Sequence, residues 1–161
     1  MPLLEWLLWI QNTRVGTAIR ESAYPYIIIT GFHALGLAVS VGIVLWFDLR
    51  LLGLKMLRQP VSQVYRQLMP WMLGGFAIVF TSGILLFWAQ AGRCYESGFC
   101  RTKILLLPLP GINALIYHLA TKRDIAQWDG DPLPPLRARI AGLVSLASWV
   151  VIIVLGRQID F

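Results

Sequence analysis

Charged residues in this chain are bunched, and four long apolar stretches run between the bunches. Residues 22–47, 67–92, 104–121 and 140–156 contain no Asp, Glu, Lys or Arg. A helix needs roughly 20 mostly apolar residues to cross a hydrocarbon core of about 30 Å. The first two stretches exceed that length, and the last two sit at its short end. All four are too continuously apolar for barrel strands, which alternate between lipid-facing and lumen-facing side chains. A helix satisfies its own backbone hydrogen bonds, as hydrocarbon demands. The pattern predicts an all-α integral membrane protein with spans over 24–50, 65–90, 103–121 and 137–157.

Punctuation supports these limits. Tyr24-Pro25-Tyr26 opens the first span with a proline suited to a first helical turn and tyrosines suited to the interface. Asp129-Gly130-Asp131-Pro132 and Pro134-Pro135 break the chain before the last span. Consecutive spans joined by short loops should pack as one antiparallel up-down four-helix bundle. Residues 1–15 hold Leu3, Leu4, Trp6, Leu7, Leu8 and Trp9, too few to span. They predict a short amphipathic helix in the interface. This segment lacks a positive n-region and a small-residue cleavage site, so no cleavable signal is expected.

Composition adds little to the fold and more to orientation. Charged residues make up 14% of the chain, against about a quarter in soluble domains. The net charge is +6, but the basic residues flank spans, where they meet lipid headgroups. No basic surface is left over for nucleic acid, which is not expected as a partner. Arg50, Lys55, Arg58 and Arg66 in the first loop and Lys122, Arg123, Arg137 and Arg139 around the third make eight of the 14 Lys/Arg. The other six lie at the N-terminus, in loop two and at the C-terminus. This bias puts loops one and three in the cytoplasm. Cys94 and Cys100, the only cysteines, share loop two. A disulfide persists only in an oxidising compartment, so both signals place loop two and both termini outside. Free thiols are the alternative. Five intervening residues with no nearby histidine give metal binding little support.

Ionisable side chains inside a membrane are functional candidates by default. The chain has two histidines, His33 and His118, and both fall inside predicted spans. Thr30, Gly36 and Ser40 share the His33 face at helical spacing, and Gly111 and Ala114 share that of His118. Asn113 adds an amide nearby. Thin faces around two imidazoles suggest haem b, held noncovalently in the bundle with His33 and His118 as candidate axial ligands. Thr30, Ser40 or Asn113 would then bond the second ring nitrogen. Arg20, Arg50 and Arg157 near the span ends are candidates for the propionates or for ion pairs. Asp48 at the end of span one reads as an interfacial anchor or an ion-pair partner. Counted at about 1.5 Å per residue, His33 lies roughly 13 Å and His118 roughly 22 Å into helices that run in the same direction. That offset weighs against both rings meeting one iron in one subunit. No nucleophile–base pair, paired carboxylate or phosphate loop is present, so hydrolytic and transferase chemistry have no support.

Phe32-His33-Ala34-Leu35-Gly36, Asp48-Leu49-Arg50-Leu51-Leu52-Gly53, the run from Gly111 to His118, and Ser145 to Trp149 before Gly156-Arg157 carry a resemblance. Together they resemble a bacterial family of small four-helix inner-membrane proteins known only as a domain of unknown function. The resemblance implies a multi-pass protein of the bacterial inner membrane. Some such bundles look like b-type cytochromes, which implies haem at His33 and His118, electron transfer or haem and redox sensing, and a homo-oligomer. Two other classes stay open: a cofactor-free scaffold or accessory subunit, and a small transporter. The transporter has the least support, because few polar residues reach mid-membrane beyond Ser40, Thr81, Ser82 and Asn113.

Overall fold

The computed structural model describes residues 2–121 and 124–158. They form an all-α fold with no strand among the described residues. Two short helices lead, α1 (Pro2–Gln11) and α2 (Arg14–Glu21). The first two spans, α3 (Ala23–Leu51) and α4 (Val61–Ala89), are 29 residues each. Between α4 and the third span lies α5 (Ala91–Glu96). The third span is broken into α6 (Gly98–Leu106), α7 (Pro108–Ile116) and a π-helical turn (Tyr117–Thr121). A short α8 (Ile125–Trp128) precedes the fourth span, α9 (Leu136–Arg157). The four spans are long and apolar enough to cross a membrane. Lys122 and Arg123, counted above for orientation, lie outside the described residues.

The leading segment differs from the single helix expected over 1–15. Thr13 ends α1 and starts α2, accepting from the Gly16 amide through its hydroxyl. A Thr cap of this kind satisfies a helix-end donor that would otherwise be orphaned. The pair is then tied to the bundle. Trp88 donates its indole N–H to Thr13 Oγ1 at 2.8 Å and to the Ile10 carbonyl at 3.1 Å. Gln11 Oε1 accepts from the Gly92 amide at 2.8 Å. The third span opens at Gly98 rather than Lys103, because Ser97 caps it by accepting from the Cys100 amide. The flexible Lys103 stem lies along Gly156 of α9, so this charge need not end a helix. Cys94 and Cys100 form a disulfide that joins α5 to α6, with Cα atoms 5.2 Å apart.

The closest crossing is between α3 and α4. A Cβ added at Gly75 would stand 2.8 Å from Ser40 Cβ and 2.9 Å from the Ser40 nitrogen, and one at Gly36 would meet Val79 and Ile78. Lipid tails are as apolar as leucine, so helices in a bilayer associate through such close packing rather than hydrophobic exclusion. Large apolar side chains, among them Ile27, Leu35, Phe80 and Ile84, are left exposed to face lipid. Phe76 of α4 stacks on Trp149 of α9 at 5.3 Å, beside buried Val41, Val44 and Ile152.

The end opposite the disulfide is closed by polar bonds. Arg50 is fully buried and donates through Nε to the Gln59 carbonyl and through Nη2 to the Asp131 carbonyl. It thereby joins loop one to loop three. Asp129 accepts from the Ser62 amide and hydroxyl at the start of α4, supplying from a distant loop the cap that Pro60 cannot. Gly53 adopts φ +72°, a left-handed turn that glycine enters freely, with Leu133 and Pro132 pressed against it.

Candidate functional site

The two histidines stand in different places. His33 is half-buried at the α3–α4 interface, with Nδ1 2.9 Å from Ser82 Oγ and its ring against Gly83. Ser82 Oγ lies 2.6 Å from the Ile78 carbonyl, to which it donates. A hydroxyl has one proton, so His33 is the donor to Ser82 and carries its proton on Nδ1. His118 is exposed on the π-helical turn, with Nδ1 3.4 Å from the Tyr65 hydroxyl. Tyr117, its neighbour, meets Phe47 at 5.8 Å. Phe47 is fourteen residues beyond His33, or about 21 Å along the helix axis. His33 and His118 therefore cannot meet at one iron within one chain. The offset exceeds the one counted from sequence, because the third span starts earlier and His118 lies level with the last turns of α3.

The small and polar residues expected around haem divide the same way. Gly36 and Ser40 belong to the α3–α4 crossing, where Ser40 donates to the Gly36 carbonyl at 2.7 Å. Thr30 donates to Tyr26 on its own helix and faces outward. Asn113 donates to the Ala141 carbonyl of α9 at 2.9 Å. None of the three bonds an imidazole; Ser82 does. Gly111 and Ala114 line a cavity together with His118.

That cavity is a cleft of about 330 Å³ between α4 and α7, backed by α3 and α9. Pockets for small molecules run from about 300 to 1,000 Å³. Its rim residues Leu73, Phe80, Gly111, Ala114 and His118 are exposed, so it opens sideways. Its inner walls are Phe47, Met72, Phe76 and Trp149. Its polar groups are Asp48, Tyr65, Asn113, Tyr117, His118 and Ser145, and no Lys or Arg lines it. Asp48 is only 3% exposed, and its Oδ2 has no hydrogen-bond partner. The buried Tyr117 hydroxyl is also unpartnered. A second cavity of about 290 Å³, lined by Ser62, Tyr65, Arg66, Tyr117 and Ile125, shares Tyr65 and Tyr117 with the first.

Sequence reasoning placed Asp48 at the interface; the structure packs it under α9, where Gly142 lies against its carbonyl and Ser145 is its polar neighbour. The small residues of α9 were the signal for that approach. The candidate propionate partners are elsewhere. Arg20 bonds the Gln11 carbonyl and pairs loosely with Glu21, Arg50 is occupied by loop carbonyls, and Arg157 ends α9 next to Gly156, against which Lys103 packs. Among the described residues no group of three or more His, Cys, Asp or Glu is placed to hold a metal ion.

Fold and cleft together define a four-span membrane bundle with a lateral pocket. The chain belongs to a family of unknown function, DUF6644, whose sequence profile matches residues 9–161. No curated protein and no solved structure matches it.

Proposed function

We propose that this protein binds a small, largely apolar molecule that reaches its cleft through the lipid. The observation that carries this reading is the cleft itself: aromatic and methionine walls, a sideways opening, and a buried polar end. Such a site suits a ligand with one polar end. Gly111 provides the test, because nothing lies within 4 Å of a Cβ added there. Gly111→Leu puts an apolar side chain at the rim of the cleft, where an added Cβ meets open space. Native mass spectrometry of the detergent-purified protein is expected to show a bound small molecule that the variant loses. A bare protein in both samples would refute the reading.

A second reading names haem b as that molecule, and His118 at the rim favours it. The residues fit a haem with one axial imidazole from this chain, and not two. Arg66 lines the adjoining cavity and would be the cation for a propionate there. Bound there, haem would supply one-electron redox chemistry. A Soret band in the purified protein that His118→Ala abolishes and His33→Ala leaves intact supports this reading. Its absence, with another ligand in the cleft, removes haem and keeps the cleft.

For orientation, the basic loops and the disulfide support a bacterial inner-membrane protein with Cys94–Cys100 and both termini on the periplasmic side. The cleft's polar end, near Asp48, then belongs to the cytoplasmic leaflet.

A further inference from the structure

Asp48 is more than an apolar cleft requires. A carboxyl withdrawn from water keeps its proton unless a cation arrives to offset the charge. No ion pair involves Asp48 among the described residues. Arg50, two positions on, directs Nε and Nη2 to the Gln59 and Asp131 carbonyls instead, and its Nη1 has no partner. Ser145 supplies a hydroxyl neighbour, while Oδ2 stays without a partner. Aromatic rings line the same cleft: Phe47, Phe76, Tyr117 and Trp149. Aromatic faces attract cations, and the attraction grows where water is excluded. The lining holds no Lys or Arg that would repel one.

We propose that Asp48 makes this cleft selective for lipophilic cations, that is, an ammonium or phosphonium centre carrying apolar groups. The inference rests on the cleft being a ligand site and adds the charge of the ligand. The cationic centre lies at the Asp48 end of the cleft, and its apolar groups lie along Phe76, Trp149 and Met72 toward the rim. An anionic ligand would meet a buried carboxylate and no positive side chain. A neutral ligand would leave Asp48 as unpaired as before.

The test uses the full chain in detergent and equilibrium dialysis of radiolabelled tetraphenylphosphonium, with protein-free micelles as the partition control. Triphenylphosphine oxide serves as the neutral probe. Saturable binding of the cation is expected, with the neutral probe weaker by about tenfold or more, as for loss of a buried charge partner. Asp48→Asn should weaken the cation by a similar factor and leave the neutral probe unchanged. Asp48→Glu should recover most of the loss, and Gly111→Leu should exclude both probes. Equal affinity for the two probes, or an unchanged cation affinity in Asp48→Asn, overturns the charge selection while leaving the cleft in place. No binding of either probe overturns both readings. If Asp48→Asn does not fold, the comparison of the two probes on the unaltered protein decides.

Discussion

His33 Nδ1 lies 2.9 Å from Ser82 Oγ, across the interface of the two longest spans. The serine proton is committed to the Ile78 carbonyl one turn back, so the imidazole is the donor in this pair. Interhelical bonds of this kind in bilayers contribute about 0.6 kcal/mol on average and about 1.7 at most. Ser82→Ala should destabilise the protein within that range, measured by reversible unfolding in bicelles. A loss several times larger would mean that Ser82 does more than hold His33.

The Gly75 crossing is far less forgiving. An added methyl would meet the Ser40 backbone rather than a movable side-chain tip, so the helices themselves must part. Gly75→Ala should cost about 1–3 kcal/mol, the usual range for overpacking, read in the same unfolding assay. Gly74→Ala, where nothing lies within 4 Å, is the matched control and should be neutral or slightly stabilising.

Arg50 holds loop one to loop three from a fully buried position. Replacing it with Met keeps much of the stem and strands the Gln59 and Asp131 carbonyls. Each stranded carbonyl costs about 1–3 kcal/mol. The expected phenotype is local: faster hydrogen exchange over residues 52–60 and 129–135, with the amides of α3 and α4 near Gly75 unaffected. Uniform acceleration across the chain would contradict the local role.

The disulfide offers a check on sidedness. With Cys94 and Cys100 joined, a membrane-impermeant maleimide should add nothing to intact cells stripped of their outer membrane. After reduction it should add two labels, because these are the only cysteines. Labelling that requires lysis would reverse the orientation proposed here.

The spans were legible because lipid imposes a simple rule, about 20 apolar residues without charge. Residues 24–50 and 137–157 anticipate α3 and α9 closely, since charged or proline-rich segments bound both. The third span was harder to delimit. Lys103 looked like a terminus, yet its stem packs on Gly156 and the helix begins at the Ser97 cap. The site was legible only in part. Single residues stood out, His33 and His118 above all, but their depths depended on where the helices begin. Ser82 could not be assigned as the His33 partner because it sits 49 positions away, and only the Gly36–Gly75 crossing sets that register. Asp48 reads as an anchor because it lies at the end of a span; its burial comes from α9, ninety-odd residues later.

The clasp formed by Trp88, Gln11 and the Thr13 junction makes the molecule unequal from top to bottom. It staples a two-helix flap over the disulfide end of α4, whereas the cleft described above opens toward the other end. For a ligand of the kind proposed above, entry would be lateral, through the opening between α4 and α7, and so from one leaflet. On that proposal, the lipid make-up of a single monolayer, rather than of the whole bilayer, would govern which molecules can be sampled.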